Sequence, residues 1–180
     1  MQSHHRFLLE RMLAHIDFLE ASLERIQQEI EQHLRPFEEA MTLLTSVVGI
    51  QETAAAAILA EIGTDMTRFP SATHLASWAG VCPGNKQSGG KRLSGATTQG
   101  NPHLKAVLAE VAWAISHTKD NSLSAQYHRI ARRRGKQKAI VAVSHSILVI
   151  VYHILRDKKP YQILEQTILP SWIPCATNVT

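Results

Sequence analysis

At 180 residues, 44% of them hydrophobic, the chain can build one compact domain plus an extension, which excludes a wholly disordered polymer. Aromatic residues are only 6%, and Ala, Leu and Ile supply most of the apolar mass, which favours helices over sheets. Nineteen Lys and Arg against 15 Asp and Glu leave a formal net charge of +4, and most of the excess base lies after Pro83, so the second half is expected to meet an anionic partner.

The N-terminal segment lacks the long apolar run of a signal peptide. Leu9, Met12, Ile16, Leu19, Leu23, Ile26 and Ile30 are spaced alternately three and four apart, a heptad seam that calls for a partner helix. Glu10, Glu20, Glu24, Arg25, Glu29 and Glu31 lie mostly off the seam, and Pro36 stops or kinks the helix. A coiled coil over residues 1–36 is the expectation, with strand orientation left open. The other reading is an amphipathic helix packed on its own domain.

Residues 37–63 read as helix, tight turn, helix. Leu43, Leu44, Val47 and Val48 lead into Gly49 and Ile50, and Gly63 sits where a C-cap glycine belongs. The unit is like a helix-hairpin-helix, in which turn amides and the next helix N-terminus face a phosphate. Gln51 stands where a second turn glycine is usual, so an ordinary helical hairpin is an equal reading. Ser71 can cap a short helix running to about Gly80.

Residues 83–104, PGNKQSGGKRLSGATTQGNPHL, are glycine-rich, basic and free of acid. Ser88 precedes Gly89 and Gly90, with Lys86, Lys91 and Arg92 around it. A flexible cationic loop bearing a hydroxyl suits a phosphodiester. From composition alone, Ser88 either hydrogen-bonds phosphate or attacks it, and Ser94 is a second serine followed by glycine in the same loop. A serine hydroxyl needs activation to be a nucleophile, and no base is fixed beside it in sequence.

Asn101 and Pro102 start a further helix with an apolar face of Leu104, Val107, Leu108, Val111, Ala112 and Ile115. Another helix covers 122–134. Gly135 breaks it, and a long helix follows over 136–156. The apolar run 139–155 is interrupted by Ser144, His145, Ser146 and His153, which favours a buried core helix over a membrane span. Pro160 and Tyr161 begin a last short helix, and 169–180 reads as a tail. Arg129, Arg132, Arg133, Arg134, Lys136 and Lys138 form a run of one sign at a helix junction, expected to hold nucleic-acid backbone without reading its sequence.

No metal site is expected. His145 and His153 are eight apart, no carboxylate accompanies them at ligand spacing, and Asp65, Asp120 and Asp157 are scattered. His103, close after the serine loop, and His117 are weak candidates for proton relay. Cys82 and Cys175, far apart, form neither a disulfide framework nor a zinc pattern and suit a cytoplasmic setting.

From Leu43 to about Leu164 the chain resembles the C-terminal transposase domain of the insertion-sequence 110/116/902 family, the bridge-RNA-guided serine transposases. The resemblance rests on LLTSVVGIQETAAAAILAEIG, RFPSATHLASWAGVCPGNKQSGGKRLSGATTQGNPHLK and RRRGKQKAIVAVSHSILVIVYHILRDKKPY, in that order and spacing. It implies that Ser88 is the nucleophile that forms a transient phosphoserine link to DNA, with the basic residues of its loop lining the cleavage site. It also implies DNA and a guide RNA as partners, and homo-oligomers through the coiled coil. The family carries a RuvC-like N-terminal domain whose acids bind magnesium. That domain is expected to be absent here, leaving no cofactor in this chain and a fragment inactive by itself. The fold expected is all-α, organised as a coiled-coil helix (1–36), a transposase domain (37–168) and a tail (169–180). The competing function is a non-catalytic nucleic-acid-binding or dimerising fragment.

Overall fold

A computed structural model describes residues 3–82, 97, 99–119 and 121–161, together with the backbone of 86–88 and 91–94. The chain divides into two compact units, Met1–Glu38 and Glu39–Thr180.

The first unit is one helix, α1 (Ser3–Leu34), 32 residues long, closed by a 3-10 turn over Arg35–Phe37. Pro36, with no N–H to donate, stands in that turn and ends the α-helix where the sequence predicts. No residue of α1 is buried. The seam residues Leu9, Met12, Ile16, Leu19, Leu23, Ile26 and Ile30 are between 44% and 65% exposed, so a long apolar stripe stands in water.

Among the described residues, the second unit is all-α apart from one two-stranded ribbon. Its elements are α2 (Glu38–Thr45), α3 (Glu52–Ile62), α4 (Ala72–Trp78), β1 (Lys86–Ser88), β2 (Lys91–Ser94), α5 (Pro102–Ser116), α6 (Ser122–Arg134) and α7 (Lys136–Asp157). Caps set the boundaries. The Ser71 hydroxyl accepts from the His74 amide, and Asn121 Oδ1 accepts from the Leu123 amide at 2.8 Å. Gly63 and Gly135 end α3 and α6 with φ of +71° and +89°, a region that glycine enters without steric cost.

The core is organised around α7, which packs against α4, α5 and α6. Its residues from Ile147 to Leu155 are all buried, on every side of the helix. A helix apolar all round must be enclosed. By length and composition α7 could cross a membrane, but 67% of that stretch is buried inside the domain, the pattern of a core helix. Polar ties fix its rotation. Ser144 donates to the Leu108 carbonyl at 3.1 Å, Gln126 on α6 donates to the Ser146 hydroxyl at 3.0 Å, and Tyr152 donates to the Phe69 carbonyl at 3.2 Å. Burial pushes the His145 and His153 imidazoles below their ordinary range. Arg156 acts on His153 in the same direction, and Asp157 opposes it.

One sequence expectation changes. The glycine-rich stretch, read as a flexible loop, carries an antiparallel ribbon with Ser88 opposite Lys91 and Gln87 opposite Arg92. The ladder then slips by one residue, so that Lys86 pairs with Ser94. Two glycines between strands are the composition a two-residue hairpin demands. That signal is present in the sequence but masked by strand residues of low β-propensity. The helix expected after Pro160 and the tail 169–180 lie outside the described residues beyond Tyr161.

Candidate nucleic-acid interface

The ribbon leaves the domain after α4 and returns at α5, and its two roots touch. A Cβ built on Gly100 would lie 2.3 Å from the Ala79 carbonyl carbon and 2.4 Å from the Gly80 amide nitrogen. No side chain fits there, so glycine is what allows the two backbone segments to meet. Gly80 itself has φ +70°. The chain therefore enters and leaves the ribbon through one narrow neck.

Asn101 secures the returning strand. Its Oδ1 accepts from the His103 and Leu104 amides at 3.0 and 3.1 Å, capping α5, with Pro102 in the first turn. Its Nδ2 donates to the carboxylate of Glu61, on the last turn of α3. Sequence reasoning found the cap but not Glu61, which lies 40 residues away and has no local signal.

Beside this neck is a cavity of about 190 Å³ whose lining includes Gly80, Thr97, Lys105, Ile140 and Val141. It brings together the ribbon roots, the first half of α5 and the first third of α7. Lys136 and Lys138 stand in that first third, and Arg132, Arg133 and Arg134 in the last turn of α6.

All six cations of the run, Arg129, Arg132, Arg133, Arg134, Lys136 and Lys138, are exposed. Among the described residues, none of them makes an ion pair. Arg132, Arg133 and Arg134 sit in the last turn of α6, where the macrodipole favours cations. Lys136 and Lys138 sit at the start of α7, where it disfavours them. That N-terminus has Gly135 as its cap residue, no side-chain cap and no acid in its first turn. A phosphate there would satisfy free amides and relieve the lysines together.

The other candidates separate. His103, in the first turn of α5, and His117, its C-cap residue, are 14 residues apart, about 21 Å at 1.5 Å per residue, so they cannot share one site. His117 instead packs against Trp113, with ring centroids 4.5 Å apart. The Gly49 turn faces inward against Val111 and Ile115, and Glu52 puts a carboxylate in the first turn of α3. Both features suit a packing hairpin better than a phosphate seat. Among the described residues no three His, Cys, Asp or Glu side chains gather to hold a metal. The side chains of Lys86, Ser88, Lys91 and Arg92 fall outside the described residues; their backbone register is what the ribbon defines.

Residues 41–128 match the family described as Transposase IS116/IS110/IS902. The chain is similar to the "Insertion element IS110 uncharacterized 43.6 kDa protein" of Streptomyces coelicolor, 34% identical over 124 residues, covering 67% of this chain and 30% of that protein. It is also similar to the "Probable family 20 transposase" of Pseudomonas aeruginosa, 26% identical over 159 residues, covering 86% of this chain and 46% of that one. The pilin gene-inverting protein of Moraxella bovis is 29% identical over 123 residues, covering 67% and 38% respectively. The chain thus spans less than half the length of each of these relatives.

Proposed function

Because the chain belongs, through residues 41–128, to the IS116/IS110/IS902 transposase family, we propose that its helical domain holds DNA and exchanges strands through Ser88 as nucleophile. One observation carries the reading. Ser88 ends β1 directly opposite Lys91, next to the two glycines, on a ribbon whose flanking segments meet beside a cavity that Ile140 and Val141 of α7 also line.

In this reading the Ser88 oxygen attacks a DNA phosphorus, a P–O bond to serine forms, and one of the two ester oxygens leaves with its strand. The serine proton passes to a general base. Lys91 and Arg92 neutralise charge on the pentacoordinate phosphate. The phosphoserine keeps the ester energy, so a hydroxyl from another strand reverses the step and rejoins the DNA. Arg129, Arg132, Arg133, Arg134, Lys136 and Lys138 hold backbone phosphates and fix register. The magnesium of the RuvC-like domain has no ligand set among the described residues, and no step here runs through it.

The test is adduct trapping. The chain, expressed within its complete reading frame beside a plasmid carrying the element's ends, is quenched in detergent, and the DNA-linked peptide is identified by mass. The link is expected on Ser88. Ser88→Ala should lose it while retaining DNA binding, and Ser94→Ala should keep it. An adduct that survives in Ser88→Ala, or that maps to Ser94, overturns the assignment. Salt-sensitive binding with no adduct in any variant would favour the non-catalytic module.

The seam of α1 belongs to the same proposal. Seven apolar residues at heptad spacing, each at least 44% exposed, fit the α1 of a second copy. Burying one leucine is worth about 1.5–3 kcal/mol, so Leu23→Lys should weaken self-association at least about tenfold in sedimentation. A wild-type chain that sediments as a monomer at micromolar concentration rejects the pairing. A guide RNA is the further partner proposed, held by the same basic corner.

A further inference from the structure

We propose that Glu61 is a positioning residue for the serine ribbon, acting through Asn101; the inference rests on the reading of Ser88 as nucleophile. Glu61 is half-buried at the end of α3, between the fully enclosed Ile58 and Ile62, so its backbone is held by the core. Its carboxylate receives the Asn101 amide, a charge-assisted bond that is stronger than a neutral one. Asn101 directly follows Gly100, whose backbone lies against Ala79 and Gly80. One hydrogen bond thereby anchors the returning strand, and the glycine contact passes that anchoring to the outgoing strand.

The cap and the anchor use different atoms of Asn101. Oδ1 caps α5, while Nδ2 reaches Glu61. Capping alone would be served as well by aspartate, which is at least as good an N-cap and is favoured by the helix dipole. The amide has a role that aspartate cannot fill. Ser88 stands eight residues from Gly80 and twelve from Gly100 along the chain, on a segment whose two ends the neck holds together. Displacing a reacting group by about 1 Å can cost about 100-fold in rate.

The test exchanges donor and acceptor. Asn101→Asp keeps the cap but sets two carboxylates against each other. Adding Glu61→Gln restores one donor and one acceptor across the gap. In the adduct assay, Asn101→Asp is expected to slow Ser88 linkage about 100-fold with DNA affinity held within about twofold. The double variant should recover to within about tenfold of wild type. Glu61→Gln alone, which retains an acceptor oxygen, should stay near wild type, and Glu61→Ala should be slow. A double variant as slow as Asn101→Asp, or a Glu61→Ala protein at wild-type rate, overturns the proposal.

Amide hydrogen exchange without DNA gives a second readout. Asn101→Asp should lower protection in β1 and β2 while leaving α7 unchanged, and the double variant should restore it. Unchanged ribbon protection in Asn101→Asp overturns the anchoring whatever the adduct assay gives. Restored protection with no Ser88 adduct in wild type would retain the anchor and reject the nucleophile.

Discussion

Gly49→Ala is expected to destabilise the helical domain by about 2–5 kcal/mol, from about 1–2 for the left-handed backbone and about 1–3 for overpacking. Gly49 has φ +91°, and a Cβ there would lie 2.4 Å from Ile115 Cγ1 and 3.1 Å from its Cδ1. Ile115 is fully buried and cannot swing into solvent. The turn or α5 must shift, and α5 also carries the Asn101 cap. Against a domain stability of about 5–15 kcal/mol, the loss is large. Gly63→Ala is the control. It has φ +71° but nothing within 4 Å of the added carbon, so only the backbone cost applies. Urea midpoints for the two variants separate packing from strain. Equal losses would show that Ile115 yields without cost and would sink the packing half of the argument.

The same glycine shows where sequence reasoning reached and where it stopped. A glycine between two apolar helical stretches announces a turn, and the turn is there. What it faces is a tertiary fact. Of the two equal readings, a phosphate seat and a packing hairpin, the contact of Gly49 with α5 more than sixty residues later fits the second. The helices themselves were legible because their signals are local. Ser71, Asn101 with Pro102, Gly63 and Gly135 mark ends through caps and backbone freedom. The apolar face predicted for α5 is buried at Leu104, Leu108, Val111, Ala112 and Ile115, with Val107 half-buried. The core reading of α7 holds because nine buried residues in succession leave no side for water or lipid.

The candidate site was legible by residue type and not by arrangement. Ser88 and its cations stood out through composition, but their pairing register is a property of backbone hydrogen bonds between residues that do not favour strands. The contact of Gly100 with Ala79 and the bond from Asn101 to Glu61 join segments about 20 and 40 residues apart, beyond any periodicity. Only in the fold do the ribbon neck and the start of α7 line one cavity.

Neutralising the corner between α6 and α7 should cut nucleic-acid affinity by orders of magnitude and leave the fold intact. In the combined variant Arg132→Gln, Arg133→Gln, Arg134→Gln and Lys136→Gln, four exposed side chains without ion-pair partners are changed, so the core packing is untouched. Each phosphate that is no longer neutralised lowers the slope of log affinity against log salt by about 0.9, so four phosphates lower it by about 3.6. Between 50 and 200 mM salt, wild type should then lose about 100-fold more affinity than the variant. The loss should be uniform across DNA sequences, because phosphate contacts carry no base information. A slope unchanged within about 0.5 would make the run a solvated face and move DNA binding elsewhere. Lys136→Gln with Lys138→Gln alone refines the result. If that pair removes about 1.8 of the slope, the start of α7, which has no side-chain cap, seats phosphate.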